Sequence, residues 1–548
     1  MEWNVCHPWR KGLLLAVTVV GLACRVEGQD ESPGDSMSRV IQAQEAGPDL
    51  RPLSSIPVPQ MTGSDILDSE AAIVLGKAFF WDIQVGSDGQ TACASCHFQA
   101  GADNRRQHTI HPGPNGSFEM VSGVEQLFSG GNILGDDIVG SQGVVGAVFT
   151  GVSPDPAVAA DLCTPDLTMP FGSSRRVTGR QSPSVVAAVY FRNNFWDGRA
   201  SDIFNGLDPF GVNGAGSLRI GEASLASLAV GPPNNEVEMG CAGRPFNGPN
   251  SLGSKLLARP VLQFQQISPS DSVLGRYSGF PRSGTRCGNA PCTYSQLIGL
   301  AFGETLAQQA EAQFSRIWGQ SIQAYLATLI PNQTPYDLFL QGNKHALTAN
   351  QKRGLSIFRG DKHPGNLCMN CHAGPVLSDA SYDFAQRNGL VNVDGGDQGF
   401  HNLGVRPTDE DLGRALHSHT GAPADQGAFK TPALRNVKLT APYMHTGGLA
   451  TLLEVVNFYD RGGNFDNPEQ ASAIPPHAGV PGQLGLSEAE KLQLVDFLEN
   501  GLTDCRTEKE QAPFDHPSLP LPNGPEQPAV GRQGTGSCPA PWAMSKTE

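Results

Sequence analysis

Residues 91–99, TACASCHFQ, and residues 367–374, LCMNCHAG, each contain the motif Cys-x-x-Cys-His. Two thiols with this spacing can form thioether bonds to the two vinyl groups of one haem, and the His that follows can bind its iron. A zinc ribbon needs two Cys-x-x-Cys pairs close together, and a redox-active pair does not require the His. The sequence therefore predicts two covalently bound haem c groups, held by Cys93, Cys96, His97, Cys368, Cys371 and His372.

Amphipathic segments lead into both motifs. Residues 67–82, LDSEAAIVLGKAFFWD, precede the first motif, and residues 347–361, LTANQKRGLSIFRGD, precede the second. Thr348 and Gln351 form the pattern of a capping box, and a closing helix is predicted over 486–501. A helix, a haem loop and a closing helix are typical of small cytochrome c domains. The sequence therefore predicts a mainly α fold.

The 548 residues are too many for one hydrophobic core. We predict an N-terminal haem domain over 60–340, a C-terminal haem domain over 341–506 and a tail over 507–548. Stretches rich in Gly, Asn, Pro and Ser at 98–175 and 205–222 are predicted to be long loop insertions in the first domain.

The N-terminus has the pattern of a secretory signal. Arg10 and Lys11 precede an apolar run of about a dozen residues, which is too short to span a bilayer. Residues 1–28 are therefore predicted to be removed on export to the periplasm. Lipid attachment at Cys24 is a less favoured alternative, because Gly21 stands where a lipoprotein signal has Leu.

Six further cysteines lie outside the signal and the haem motifs, an even number that indicates three disulfides in an oxidising compartment. Spacing favours two pairs and elimination leaves a third: Cys287–Cys292, Cys505–Cys538 and Cys163–Cys241. The formal net charge of −15 argues against nucleic-acid partners and anionic membranes, and it permits steering of a basic redox partner. No stretch is apolar enough for a membrane span.

Three longer strings surround the haem motifs. They are LGKAFFWD (75–82), RQSPSVVAAVYFRNNFWDGRA (180–200) and FKTPALRNVKLTAPYMHTGGLATLLEVVNFYDRGG (429–463). In this order they resemble the bacterial dihaem cytochrome c peroxidase family, which includes MauG, and the resemblance covers most of 60–505. It implies two cytochrome c-like domains with facing haems. It also implies peroxide reduction at the N-terminal haem and electron relay by the C-terminal one.

The resemblance implies roles for single residues. His97 is the proximal ligand of the peroxidatic haem and His372 that of the second haem. Trp196 matches the Trp between the haems, which relays electrons. The string LASLAVGPPNNEVEM aligns with the distal segment, so that Glu238 falls on the catalytic Glu and Pro232 on a Pro of the distal pocket. A carboxylate there can take a proton from hydrogen peroxide and return it to the leaving oxygen.

Two positions depart from most of the family. Ser173 stands where other members have a distal His on the peroxidatic haem, which predicts an open iron; His108 or His111 are alternative ligands. Tyr459 stands where most members have the distal Met of the second haem. MauG also has a Tyr at this position, and Met444 is the competing ligand in this sequence. A phenolate stabilises ferric and higher states, whereas a Met thioether raises the potential.

The family also has a calcium ion between the haems, bound by an Asn side chain and two backbone carbonyls. The carbonyls correspond to Thr440 and Pro442, and the Asn has become Gln181, which offers the same amide oxygen on a longer arm. Calcium is therefore predicted as a third cofactor.

The resemblance predicts a periplasmic peroxidase whose electrons come from a small cytochrome c, from a copper protein or from a protein substrate that is thereby modified. Two alternatives are a non-catalytic dihaem electron-transfer cytochrome and a dioxygen-using enzyme of the rubber-oxygenase type. The first alternative gives no reason for Glu238 and Trp196 to occur together. The second is disfavoured by a distal carboxylate.

Overall fold

Short helices joined by long loops make up most of the chain. The computed structural model describes residues 50–119, 135–361, 368–388, 399–418, 420–469 and 484–539. In these parts the α-helices, numbered α1 to α12, are Ser69–Trp81, Ala94–His97, Ser224–Ala229, Leu252–Leu257, Tyr294–Ala307, Phe314–Leu326, Pro335–Leu340, Ala349–Phe358, Tyr382–Arg387, Leu452–Arg461, Glu488–Asp496 and Cys505–Glu508. The predicted mainly α class is confirmed.

The strands of the described residues are short and pair two at a time. Strands β1 to β8 are Ile110–His111, Ile138–Val139, Gln142–Val145, Ala147–Gly151, Leu162–Pro165, Arg175–Val177, Phe400–His401 and Phe429–Lys430. The antiparallel pairs are β1–β2, β3–β6, β4–β5 and β7–β8. Strands β1 to β5 lie within 98–175, so this insertion is not the plain loop that was predicted. Strands of two to five residues are too short for alternation to reveal them.

The helices predicted before each haem motif and at the end of the second half are present. Helix α1 begins after Asp68, whose carboxylate accepts a hydrogen bond from the backbone of Ala71. Helix α8 begins after Thr348 with the predicted capping box, and α11 begins after Ser487 with another. The closing helix is regular to Asp496 and then widens into one π-helical turn over Phe497–Gly501.

A glycine lets two helices cross closely in each half of the chain. Helix α1 packs against α6, where a Cβ at Gly76 would lie 1.8 Å from the carbonyl oxygen of Ser321. Helix α8 packs against α11, where a Cβ at Gly354 would lie 2.1 Å from that of Gln493. Each crossing is on the helix that leads into a haem motif, so the two halves share one local architecture.

The buried side chains form two large hydrophobic cores. The first contains Phe79 and Trp318, and the second contains Tyr336 and Phe497. Tyr336 belongs to α7, so this helix packs in the second core although it precedes the predicted boundary after residue 340. The domain limits stay a prediction. Leu519 of the tail lies in the first core, so the tail returns to the N-terminal half.

Three disulfides are present in the described residues: Cys163–Cys241, Cys287–Cys292 and Cys505–Cys538. All three predicted pairings are confirmed. No helix of the described segments has the length and hydrophobicity that crossing a membrane requires. The predicted signal peptide, residues 1–28, lies outside the described residues.

Candidate haem-binding and active site

The first Cys-x-x-Cys-His motif lies at the short helix α2. Cys93 and Cys96 form no disulfide, so both sulfurs are available for thioether bonds. Nδ1 of His97 lies 2.8 Å from the carbonyl oxygen of Gly101, and burial lowers the pKa of the imidazole. A neutral imidazole that donates from Nδ1 leaves the lone pair of Nε2 for a metal. These groups fit haem c.

The second motif has the same arrangement. Cys368 and Cys371 form no disulfide. Nδ1 of His372 lies 3.2 Å from the carbonyl oxygen of Leu377, and burial lowers the pKa of this imidazole as well. Because both motifs combine two available thiols with an oriented, neutral His, the residues present fit two haem c groups.

A cavity beside the second motif contains both candidates for the distal ligand of the second haem, Tyr459 and Met444. Cys371 and His372 line it, together with Met444 and with Tyr459 of α10. Burial, and after it the thiols of Cys371 and Cys368, raise the pKa of the Tyr459 phenol, so its ring lies near the haem-attachment sulfurs. Both candidates therefore reach one pocket.

Trp196 is fixed at the wall of the same cavity. Its Nε1 donates a hydrogen bond of 2.7 Å to the carbonyl oxygen of Gln181, and its own carbonyl oxygen accepts one of 2.8 Å from the backbone of Lys430. Its ring lies 6.3 Å from the ring of His445. Phe195 before it has a φ of +64°, in the left-handed region, which turns the chain sharply at this point.

A partly exposed ion-pair network around the buried Asp197 ties the Trp196 turn to the C-terminal half. Asp197 accepts a hydrogen bond of 2.6 Å from Arg180 and one of 2.7 Å from Arg199. Arg180 also donates to both carboxylate oxygens of Asp411. Burial alone would raise the pKa of Asp197, but the two guanidinium groups outweigh it and hold that pKa below its ordinary value. The indole therefore rests on a rigid turn.

Glu238 lies near the first haem motif, shortly after the 3-10 turn Pro232–Asn234. Burial raises the pKa of its carboxyl, and the charge of Arg199 partly offsets that rise. Burial also raises the pKa values of the Cys93 and Cys96 thiols to about 12, and the charge of Glu238 adds to this rise. A carboxyl with a raised pKa beside a haem motif is suited to proton exchange.

Strand β3 of the first insertion holds the segment that carries this carboxyl. A Cβ at Gly143 would lie 2.0 Å from the carbonyl oxygen of Val237, so only glycine allows this approach. Arg244 is buried, pairs with Asp161 of the insertion at 2.9 Å and donates to the carbonyl oxygen of Pro233. These residues were not predicted, because the insertion has no periodicity that marks its buried positions.

Comparison with known proteins finds similarity to dihaem cytochrome c peroxidases and to MauG. The model of the family described as "Di-haem cytochrome c peroxidase" matches residues 70–252. Cytochrome-c peroxidase IdrP1 of Denitromonas iodatirespirans is 27% identical over 469 residues, which cover 82% of this chain and 86% of that protein. Methylamine utilization protein MauG of Methylorubrum extorquens is 30% identical over 179 residues, 33% of this chain and 42% of that protein.

The chain is therefore similar to the dihaem cytochrome c peroxidase family over residues 70–252, and its relatives include cytochrome-c peroxidases and MauG. Cytochrome c551 peroxidase of Pseudomonas aeruginosa is a further relative, 29% identical over 279 residues that cover 50% of this chain and 56% of that protein. These similarities support haem c as the cofactor and a peroxidase-type enzyme.

The family position of the distal His is exposed here. Ser173 and His108 both lie at the surface. Nδ1 of His111 accepts a hydrogen bond of 3.1 Å from the backbone of Gly113, and its ring lies 5.9 Å from that of Phe171. His111 therefore packs beside the loop that carries Ser173. The open iron of the first haem stays a prediction.

The residues predicted to bind calcium lie together. Gln181, Thr440 and Pro442 all line the cavity of the second motif. Nε2 of Gln181 donates a hydrogen bond of 2.8 Å to the carbonyl oxygen of Asp103, whereas its Oε1 is buried and has no hydrogen-bond partner in the described structure. A buried amide oxygen without a hydrogen-bond partner is suited to bind a cation.

Proposed function

We propose that the protein is a periplasmic dihaem peroxidase. It reduces hydrogen peroxide at the N-terminal haem, and electrons reach that site through Trp196 and the C-terminal haem. The haem groups supply the redox-active irons at which peroxide is reduced and electrons are held. The observation that supports this proposal most is the carboxyl of Glu238, whose pKa is raised and whose charge acts on the thiols of the first haem motif.

The side chains of this chain manage protons and position. Two electrons and two protons convert one hydrogen peroxide into two waters. Glu238 takes a proton from the bound peroxide and returns it to the leaving oxygen, and a carboxyl of raised pKa is suited to both transfers. Pro232 is assigned to the wall of the distal pocket in which Glu238 acts. Trp196 carries electrons singly between the halves, and its two hydrogen bonds keep the indole in one orientation.

We further propose Tyr459 as the distal ligand of the second haem. Tyr459→Phe should change the absorption and electron paramagnetic resonance spectra of that haem and raise its potential, because a phenolate favours the ferric state. Tyr443→Phe is the matched control, since Tyr443 lines the same cavity but donates its hydroxyl to the carbonyl oxygen of Val437 at 3.1 Å. If Tyr459→Phe leaves the spectra of the second haem unchanged and Met444→Leu alters them, Met444 is the ligand.

We also propose one calcium ion held by Gln181 with the carbonyls of Thr440 and Pro442. Elemental analysis of the purified protein should find one calcium per chain, and Gln181→Leu should remove it, because this variant lacks the only proposed side-chain ligand. Gln84→Leu is the control, since Gln84 also has a buried Oε1 without a hydrogen-bond partner but does not line the cavity. Equal calcium in both variants would contradict the site.

The electron donor is proposed to be a small cytochrome c or copper protein, or the side chain of a protein substrate. A plain electron-transfer cytochrome is the second candidate, and an oxygenase of the rubber-oxygenase type is the third. A transfer protein has no use for a carboxyl of raised pKa at a haem motif. Such a carboxyl favours peroxide over dioxygen, because peroxide has protons to be moved.

Electron paramagnetic resonance of the ferric holoprotein, before and after one equivalent of hydrogen peroxide, tests the proposed function. We expect one high-spin and one low-spin haem, with the ferric signals lost on addition of peroxide. Steady-state consumption of peroxide with ferrocyanide as electron donor should accompany this loss. Two low-spin haems whose signals do not change on addition of peroxide, before or after reduction, would contradict the peroxidase and favour an electron-transfer cytochrome.

A further inference from the structure

An aromatic cluster connects the first haem motif to the C-terminal tail. The ring of Phe80 lies 6.3 Å from that of His97 and 5.6 Å from that of Tyr325. Trp81 donates a hydrogen bond of 3.1 Å from Nε1 to the hydroxyl of Tyr325. The ring of His516, in the tail, stacks on Trp81 at 4.6 Å with an angle of 7° between the planes. Buried rings in contact therefore extend from the His ligand to Trp81.

A buried group of net negative charge adjoins this cluster. Nζ of Lys77 lies 2.8 Å from Asp271 and 3.8 Å from Asp515, and none of the three side chains has exposed surface. Burial raises the pKa of the Tyr325 phenol, and these two carboxylates raise it further, so their charges act on the Trp81–Tyr325 pair. Two carboxylates and one ammonium leave one negative charge in a medium of low dielectric, which favours a cation nearby.

We propose that Trp81 is a site of protein oxidation, which gives one electron to the N-terminal haem site when hydrogen peroxide has reacted there and no electron donor is bound. This inference rests on the proposed function, because hydrogen peroxide is the oxidant. Reduction of one peroxide to two waters takes two protons from solvent and two electrons. One of the electrons comes from Trp81, which becomes a radical cation, and the other comes from the haem.

The contacts of Trp81 stabilise that cation. The indole proton stays on Nε1, because the hydrogen bond to the Tyr325 oxygen becomes charge-assisted when the ring loses an electron. The negative charge of the Lys77, Asp271 and Asp515 group balances the new positive charge. The stacked ring of His516 covers one face of the indole, so water does not reach that face.

Trp318 provides the matched control. It is buried in the same core, but its Nε1 donates to the carbonyl oxygen of Ala229 at 2.9 Å, and its ring packs against Phe79 at 4.7 Å and Phe246 at 6.0 Å. These partners are neutral. A radical cation on Trp318 has no comparable stabilisation, and we expect none there.

The test is electron paramagnetic resonance of the holoprotein frozen after one equivalent of hydrogen peroxide, without any electron donor. We expect an organic radical whose lines narrow in protein grown on ring-deuterated tryptophan. The signal should be lost in Trp81→Phe and kept in Trp318→Phe, with equal haem content in both. Mass spectrometry of the natural protein after repeated peroxide additions should find oxygen added to Trp81, which needs no variant.

The outcomes separate this inference from the proposed function. A radical that survives Trp81→Phe and is lost in Trp196→Phe would overturn the inference and leave the peroxidase intact. Narrowing by deuterated tyrosine instead of tryptophan would also overturn it, and so would oxygen added only elsewhere than Trp81. A natural protein that neither consumes peroxide nor forms a radical would overturn both.

Discussion

The Glu238→Gln variant should reduce hydrogen peroxide about 10²–10⁴ times more slowly than the natural protein, with both haems still attached. Gln keeps the size of the side chain but cannot take a proton from peroxide or return one to the leaving oxygen. The backbone of residue 238 is held by Asn235 through a hydrogen bond of 3.2 Å, which the substitution does not touch. The measurement is kcat with ferrocyanide, together with the haem content of each preparation.

The pH profile gives a second readout of the same group. Proton removal requires the carboxylate, so the rate should rise with pH through the pKa of Glu238. Burial raises that pKa, with Arg199 opposing, so the acid limb should lie above about 4.3, the ordinary value for Glu. This limb should disappear in Glu238→Gln. If the natural protein reduces peroxide at a rate that does not change with pH across this acid limb, the assignment of Glu238 is contradicted.

Glu236→Gln is the matched control. Glu236 is two residues away, its side chain is 54% exposed, and it pairs with Arg176 at 3.4 Å on the surface. The same chemical change there should leave kcat and its pH profile unchanged. If both variants are equally slow, the loss reflects damage to the segment and not the chemistry of Glu238. If Glu238→Gln is as fast as the natural protein, Glu238 has no part in proton transfer.

Features that depend on neighbouring residues were predictable from the sequence. The haem motifs, the capping box of Thr348 and the start of α11 each need only residues within a few positions of one another. The Cys287–Cys292 disulfide also follows from short spacing. Cys163–Cys241 followed from counting alone, because no local pattern relates strand β5 to the Glu238 segment.

Features that join distant parts of the chain were not predictable in this way. The approach of Gly143 to Val237 depends on a strand of four residues inside an irregular insertion. The stacking of His516 on Trp81 brings the tail back to the first helix, and the composition of the tail gives no sign of it. The network of Asp197, Arg180 and Asp411 spans both halves, and a family string identifies only two of its members. The sequence therefore names candidate distal residues, whereas the contacts that these residues make could not be predicted from it.

Asp337→Asn should lower the free energy of unfolding by about 3–5 kcal/mol, the usual cost of removing one partner from a buried ion pair. Asp337, in α7, contacts Arg435 at 2.5 and 2.9 Å, and neither side chain has exposed surface. Arg435 also donates to the carbonyl oxygen of Pro375, just after the second haem motif. Asp337 accepts a further hydrogen bond of 2.9 Å from the backbone of Leu53. The substitution leaves a guanidinium buried without its counter-charge.

Equilibrium denaturation of the holoprotein, followed by haem absorbance, measures this loss. Asp383→Asn is the control, because the Arg51–Asp383 pair is partly exposed and should contribute less than about 1 kcal/mol. Burial alone would raise the pKa of Asp337, but Arg435 outweighs it and holds that pKa below its ordinary value. The stabilisation is therefore present above about pH 3.9 and is lost as the pH falls through the lower, folded-state value. The difference between the natural protein and Asp337→Asn should shrink over that range, and a constant difference would mean that the charge of Asp337 is not what stabilises this contact.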